Sequence, residues 1–267
     1  MKQRAPRLQL PVAGRTLAGF VLFSLLSSVV YLVNDLSDLE ADRQHPVKRY
    51  RPLAAGEIPV RTAQAAVAGL LLMIIPLSVW LSPAFALICA GYFLLNLLYS
   101  HWLKHMVLID VLVLAAFYLI RVGAGVVLIQ VSTFSPWLYV FTTFLALFVG
   151  VGKRRAELNL LAEGANAHRK VLAGYTLPLL DQLMVIVSTL TIATYSLYTF
   201  SAYNLPANHG MMLTIPFVLY GIFRYLYLVQ VEHSGGAPEE VLLTDRPMQV
   251  TLVLWGLAVL IIFYIYF

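Results

Sequence analysis

The chain has 267 residues, 60% of them hydrophobic and only 12% charged, with a mean hydropathy of +0.81. A soluble domain of this length carries roughly twice that charge, so the composition excludes a soluble enzyme and predicts an all-α integral membrane protein, a single transmembrane domain over 1–267. The net charge of +5 comes from 18 bases against 13 acids, confined to short loops. That argues against nucleic acid as a partner and for membrane lipid and phosphate-bearing substrates.

A membrane-spanning helix needs ~20 mostly apolar residues. Eight candidates follow one another, roughly at 17–33, 61–81, 83–99, 108–129, 135–151, 178–202, 211–231 and 248–267. The second and third are parted only by Ser82-Pro83, which predicts a tight helical hairpin. Aromatic residues near helix ends, Trp80, Trp102 and Trp137 among them, fit interfacial belts. The segments at 34–60, 100–107, 152–177 and 232–247 carry nearly all the charge, whereas those at 82, 130–134 and 203–210 carry no Lys, Arg, Asp or Glu. The positive-inside rule makes the charged set cytoplasmic, so all the candidate chemistry faces the cytoplasm from a plasma membrane. The N-terminus breaks the pattern. Eight helices place 1–16, with Lys2, Arg4, Arg7 and Arg15, on the outside. A ninth helix ahead of this sequence is the expected repair.

The stretch Tyr31 to Arg51 concentrates the chemistry. Asp35, Asp38, Glu40 and Asp42 follow directly on an apolar helix, and Arg43, Lys48, Arg49 and Arg51 follow them. If the helix runs through Asp42, residues 31, 34, 35, 38 and 42 share one face, because helical neighbours lie three and four apart. That face carries a phenol, an amide and three carboxylates. Hard oxygen ligands at this density suit Mg²⁺, which takes carboxylates plus oxygens of a substrate phosphate. The downstream bases can hold the remaining phosphate charge. The competing reading is a solvated loop whose charges cancel. Against it, like charges crowded at a helix C-terminus oppose the helix dipole and call for a compensating cation.

A second polar group runs from Tyr99-Ser-His-Trp-Leu-Lys104 to Asp110 and Arg121. Arg121 lies deep in an apolar run, which is costly unless it faces a polar cavity or an anion. Two readings stay open: a structural Arg121–Asp110 pair, or phosphate binding by Lys104 and Arg121 with Asp110 orienting one of them or serving a metal. Further on, Gly152-Lys153-Arg154-Arg155-Ala-Glu157 precedes Arg169, Lys170 and Tyr175. The three bases are either a topology signal or a phosphate grip that Glu157 aims into a cleft. Pro238-Glu-Glu reads as a helix start with acids in its first turn, either closing the site or merely connecting. The six histidines show no ligand spacing, and the single cysteine, Cys89, lies in an apolar segment. No GxxxxGK[ST], GxGxxG or GxSxG motif occurs.

With these residues laid out, the chain resembles the UbiA superfamily of intramembrane prenyltransferases. The match is Asn34-Asp35-x-x-Asp38-x-x-x-Asp42, then His45-Pro46-x-Lys48-x-x-Arg51-Pro52-Leu53-Ala54-x-Gly56. Tyr31, Tyr99-Ser-x-x-Leu-Lys104, Asp110, Arg121, the Gly152 to Glu157 run and Asp245-Arg246 bring it nearest to the decaprenyl-phosphate phosphoribosyltransferases of that superfamily. The resemblance implies a UbiA-like bundle around a central cavity, nine helices in the family and about eight here. It implies Mg²⁺-dependent transfer of 5-phosphoribose from 5-phosphoribosyl 1-diphosphate to a polyprenyl (decaprenyl) phosphate, for arabinose-containing cell-wall glycans.

In that reading Asn34 and Asp38 are the foremost metal ligands, supported by Asp35 and Asp42, and the three aspartates are catalytic. Tyr31, Lys48, Lys104 and Arg121 meet the donor, and Lys104 and Arg121 also meet the lipid phosphate. Arg51, Tyr99, Asp110, Lys153, Arg154, Glu157 and Tyr175 complete the substrate-binding set. Homo-oligomerisation stays open. The family's opening Gln-Trp-x-Lys-Asn segment is absent from this sequence. Asp110 has Leu114 where a paired-Asp motif would place a second aspartate. That counts against the alternative, transfer of a prenyl group from its diphosphate to an aromatic or quinone acceptor.

Overall fold

The computed structural model describes residues 10–44, 48–129, 135–162, 170–202, 205–206, 208–232 and 238–266. Lys2, Arg4, Arg7, His45, Pro46 and Arg169 lie outside them, as does the side chain of Lys48. The described residues form ten α-helices: α1 (Leu10–Ser37), α2 (Leu39–Gln44), α3 (Val60–Leu81), α4 (Pro83–His101), α5 (Ile109–Ile129), α6 (Pro136–Ala162), α7 (Leu177–Ser201), α8 (Ile215–Gln230), α9 (Pro238–Thr244) and α10 (Arg246–Tyr266). Eight helical segments are long and apolar enough to cross a membrane, as the hydropathy predicts. They are apolar on nearly every side. In lipid a helix satisfies its own backbone, so its outer face can be hydrocarbon; Leu72, Trp80 and Leu87 are exposed in this way.

Local chemistry sets the boundaries. Ser82 breaks the α3–α4 run with extended backbone, and its hydroxyl caps α4 by accepting from Phe85 N–H at 3.4 Å, with Pro83 at the first helical position. Two helices outrun the apolar segments that announce them. α1 reaches Ser37 and α6 reaches Ala162, because polar residues at a helix end add backbone hydrogen bonds that hydropathy does not register. Pro238-Glu-Glu does start a short helix, α9.

The described helices group into two compact units. One holds α1 to α4 with α5 from Ile120 onward; the other holds α5 up to Leu119 with α6 to α10. In the first, Leu22, Leu26, Val29 and Val30 of α1 are buried, as are Ile74 of α3 and Phe85 and Tyr92 of α4. In the second, α6 and α7 pack closely, and the core runs through Phe148, Val151, Leu180, Met184, Ile222 and Tyr225.

Candidate active site

In the first unit the helix does not run unbroken through Asp42, as the one-face reading required: α1 ends at Ser37 and α2 begins at Leu39. α1 bends at Asp38, yet the helical hydrogen bonding carries across the bend. Asp38 N–H donates to the Asn34 carbonyl at 2.9 Å and Asp42 N–H to the Asp38 carbonyl at 2.8 Å. Asn34, Asp35, Asp38 and Asp42 therefore keep their one-turn spacing. The compensating charge is present in the chain itself. Arg51 Nη1 donates to Asp35 Oδ1 at 2.7 Å and to Asp42 Oδ2 at 2.9 Å, with Asp42 buried. The turn after Arg51 anchors this guanidinium. Ala55 N–H returns to the Arg51 carbonyl at 2.8 Å, Leu53 is buried, and Gly56 adopts φ 81°, a left-handed conformation that glycine alone takes at little cost.

Asn34 Oδ1 accepts a hydrogen bond from the Ser100 hydroxyl of α4. Tyr99 beside it is half-buried and Tyr31 is exposed. One level deeper, Arg121 Nη2 donates to Tyr92 OH at 3.1 Å. Tyr92 precedes Ser100 by eight residues on α4, so this contact lies ~12 Å along the helix from the one that holds Asn34. Arg121 also lines a cavity of about 470 Å³ with Ser27, Phe23, Phe85 and Leu128.

The second unit assembles its own polar group. Asp110 is fully buried. Arg154 Nε donates to its Oδ2 at 2.7 Å and Tyr175 OH to its Oδ1 at 2.7 Å. These are the partners of Asp110, where the sequence had suggested that it orients Lys104 or Arg121 or serves a metal. The reason is topological: Asp110 and Arg154 are near-equidistant from the connection between α5 and α6, and antiparallel helices bring such positions together. Arg154 Nη1 also donates to Glu157 Oε2 at 2.5 Å, but the Arg154 side chain is 1% exposed, so the pair holds this base in the interior and does not aim it into a cleft.

Tyr175 OH also accepts from Leu108 N–H at 2.8 Å. Burial, and then its bond to Asp110, push this phenol above its ordinary range, which keeps it a proton donor to the carboxylate. Leu108 takes φ 67° in the turn before α5. Gly174 lets the Tyr175 segment close on that turn, since a Cβ there would sit 2.4 Å from Val107 Cγ2. Lys104 lies in the short turn Leu103–His105 and Lys153 on α6; both are partly exposed.

Several polar contacts escaped the sequence reading. Arg155 donates to Asp181 Oδ1 at 2.5 Å and to the Val229 carbonyl at 2.9 Å. Arg224 Nη2 donates to Asp245 Oδ2 at 2.7 Å. The Arg224 bond, together with a bond from Met248 N–H, holds the Asp245 carboxyl below its ordinary range. Asp181 and Arg224 each stand alone in an apolar run, a placement that already marks an ionised side chain as partnered.

Among the described residues, no group of three or more His, Cys, Asp or Glu side chains is placed to hold a metal ion, so Asp35, Asp38 and Asp42 do not form a ligand cluster on their own. The α1–α2 face fits a different kind of site. Its donors are all hard oxygens, and Asp35 and Asp42 already converge on one positive group, Arg51. Mg²⁺ sites of this kind use one or two carboxylates and leave the other positions to substrate phosphates and water.

Residues 5–244 match the model of the UbiA prenyltransferase family. A decaprenyl-phosphate phosphoribosyltransferase of Mycobacterium tuberculosis is 36% identical over 245 residues, covering 91% of this chain and 80% of that protein. One of Corynebacterium glutamicum is 34% identical over 249 residues, covering 92% of this chain and 75% of that protein. The structure of a UbiA homolog from Archaeoglobus fulgidus bound to DMAPP and Mg²⁺ superposes with a TM-score of 0.72 at 17% identity, over 95% of this chain and 88% of that one. The chain belongs to the UbiA prenyltransferase family, and it is an all-α, multi-pass membrane protein.

Proposed function

We propose that the protein transfers 5-phosphoribose from 5-phosphoribosyl 1-diphosphate to a polyprenyl phosphate such as decaprenyl phosphate, with Mg²⁺, at a site facing the cytoplasm. The product would serve as a precursor of arabinose-containing cell-wall glycans. The relatives that cover most of the chain carry that activity in their names. The observation in the structure that carries the choice of donor is the enclosure of Asp110. Both its oxygens accept hydrogen bonds inside the second unit, so it is not offered to a second metal. A single acidic face suits a donor whose diphosphate is the leaving group and an acceptor that is already an anion.

Asn34 and Asp38, with Asp35 and Asp42 in support, would hold Mg²⁺, which supplies neutralisation of the diphosphate's leaving charge. Arg51 is placed to take phosphate oxygens as it yields Asp35 and Asp42. Lys48 and Arg121 add positive charge for the donor and lipid phosphates. Tyr31 and Tyr99 border the acidic face. The C1–O bond of the donor breaks through an oxocarbenium-like state, as in glycoside chemistry. The acceptor phosphate is ionised at neutral pH, so the chain need supply no general base. Its contribution is alignment and charge balance.

The test is a transfer assay in membranes or detergent. Radiolabel from phosphoribosyl diphosphate should enter the lipid fraction when decaprenyl phosphate and Mg²⁺ are present. Label entering an aromatic acceptor from a prenyl diphosphate, with none from the sugar donor, would replace this reading with the prenyltransferase one.

A further inference from the structure

Ser100 stands one residue before the end of α4 and meets Asn34 across the seam between α1 and α4. An earlier contact sets the register of that seam inside the first unit. The rings of Phe23 and Tyr92 lie 4.7 Å apart, and Ser27 Oγ is 3.5 Å from Tyr92 OH. Asn34 follows Ser27 by seven residues on α1, and Ser100 follows Tyr92 by eight on α4. Both helices therefore advance ~11–12 Å, about two turns, to the next contact. There the Ser100 hydroxyl donates to Asn34 Oδ1.

This hydroxyl departs from the habit of its type. Serine and threonine within a helix readily bond back to the carbonyl one turn earlier. Ser27, Ser28, Thr142 and Ser196 do so, at 3.0, 3.1, 2.8 and 2.8 Å. Ser100 reaches across to a neighbouring helix instead. What it reaches is the one polar group of the α1–α2 face that needs orienting from outside. A carboxylate offers a cation two equivalent oxygens, and Arg51 already holds those of Asp35 and Asp42. An amide offers an oxygen on one side and an N–H₂ on the other, with nearly the same shape. A donor on Oδ1 takes one of its two lone pairs, leaves the second for a cation and keeps the N–H₂ aside.

We propose that Ser100 is a positioning residue of the metal site, fixing the Asn34 amide with its oxygen available as a ligand. The inference rests on the metal-binding reading of the α1–α2 face. The three aspartates do not form a ligand cluster on their own, so the setting of the amide oxygen weighs in the affinity. Removing an outer partner of this kind typically weakens metal binding by ~10–100-fold.

The test titrates 5-phosphoribosyl 1-diphosphate into the purified full chain at a series of Mg²⁺ concentrations. It reads the Mg²⁺ needed for half-maximal donor binding, and the donor affinity at saturating Mg²⁺. Ser100→Ala, folded by its unfolding temperature, should raise the first about tenfold and leave the second within about twofold. Ser100→Thr keeps the hydroxyl and should keep the parent's Mg²⁺ requirement. Ser100→Cys offers only a weak donor and should behave as the alanine variant does. An unchanged Mg²⁺ requirement in Ser100→Ala, or an equal rise in Ser100→Thr, would overturn the proposal. So would a loss of donor affinity that saturating Mg²⁺ does not recover, which would make Ser100 a donor contact. If Ser100→Ala does not fold, the threonine and cysteine variants decide. Asp38→Ala separates this inference from the reading beneath it. Binding lost in Asp38→Ala but unaltered in Ser100→Ala defeats the role of Ser100 alone; Mg²⁺-dependent binding intact in Asp38→Ala defeats the metal site as well.

Discussion

Asp110 and Arg154 meet at 2.7 Å with side-chain exposures of 0% and 1%. A charge pair this deep is held by geometry, and removing one partner strands the other in a medium that solvates it poorly. Breaking such a pair costs ~3–5 kcal/mol. Asp110→Ala should therefore lower the thermal unfolding temperature in detergent sharply, with loss of activity following loss of fold. A variant as stable as the parent but altered in metal dependence would show that Asp110 serves the chemistry and not the frame.

Arg51 is a mixed case. Its side chain is 44% exposed where it bridges the partly exposed Asp35 and the buried Asp42; the Asp35 pair contributes ~0–1 kcal/mol, while Asp42 loses a partner inside the fold when Arg51 is removed. Arg51→Ala should lower the unfolding temperature less than Asp110→Ala does, while raising KM for the sugar donor about tenfold. Unchanged donor kinetics would make Arg51 an ion-pair partner and nothing more.

Asp245 gives the protein an acid limit. Its carboxyl is held below the ordinary value of 3.8 by Arg224 and by the Met248 N–H. A lowered folded pKa stabilises fully above the unfolded value, and that stability drains away as pH falls through the folded one. Asp245→Asn should be less stable than the parent at neutral pH, and the gap should narrow below a pH of about 4. Unfolding curves with a constant gap down to the lowest pH reached would contradict this.

Leu108 holds a left-handed backbone at φ 67° while the residue is 46% exposed. The conformation costs a non-glycine residue ~1–2 kcal/mol, part of which glycine gives back through its freer unfolded chain. Leu108→Gly should be as stable as the parent or up to ~1 kcal/mol more so. Leu108→Val, branched at Cβ, should be less stable. Calorimetry on the two variants checks the order.

The membrane helices and the acidic face were legible because each depends on local order. Apolar runs reveal a span, and the spacing of Asn34, Asp35, Asp38 and Asp42 survives the bend at Asp38 because the backbone bonds continue across it. Partners far apart in sequence were not legible. Nothing near Asp110 announces Arg154 or Tyr175, which the packing of antiparallel helices selects. Ser100 stood inside a motif already noted, yet its bond to Asn34 depends on α1 and α4 lying side by side. Asp181 and Arg224 did leave a signal, as lone charges in apolar runs; their partners, Arg155 and Asp245, are set by the fold.

Asp38 gives the most direct test of whether the α1–α2 face binds the donor's diphosphate through a metal. Titration of phosphoribosyl diphosphate into the purified protein should give saturable binding with Mg²⁺ and none after chelation. The Asp38→Ala variant, folded by its unfolding temperature, should show no binding in either condition. Equal, Mg²⁺-dependent affinity in wild type and Asp38→Ala would place the donor elsewhere and contradict the account.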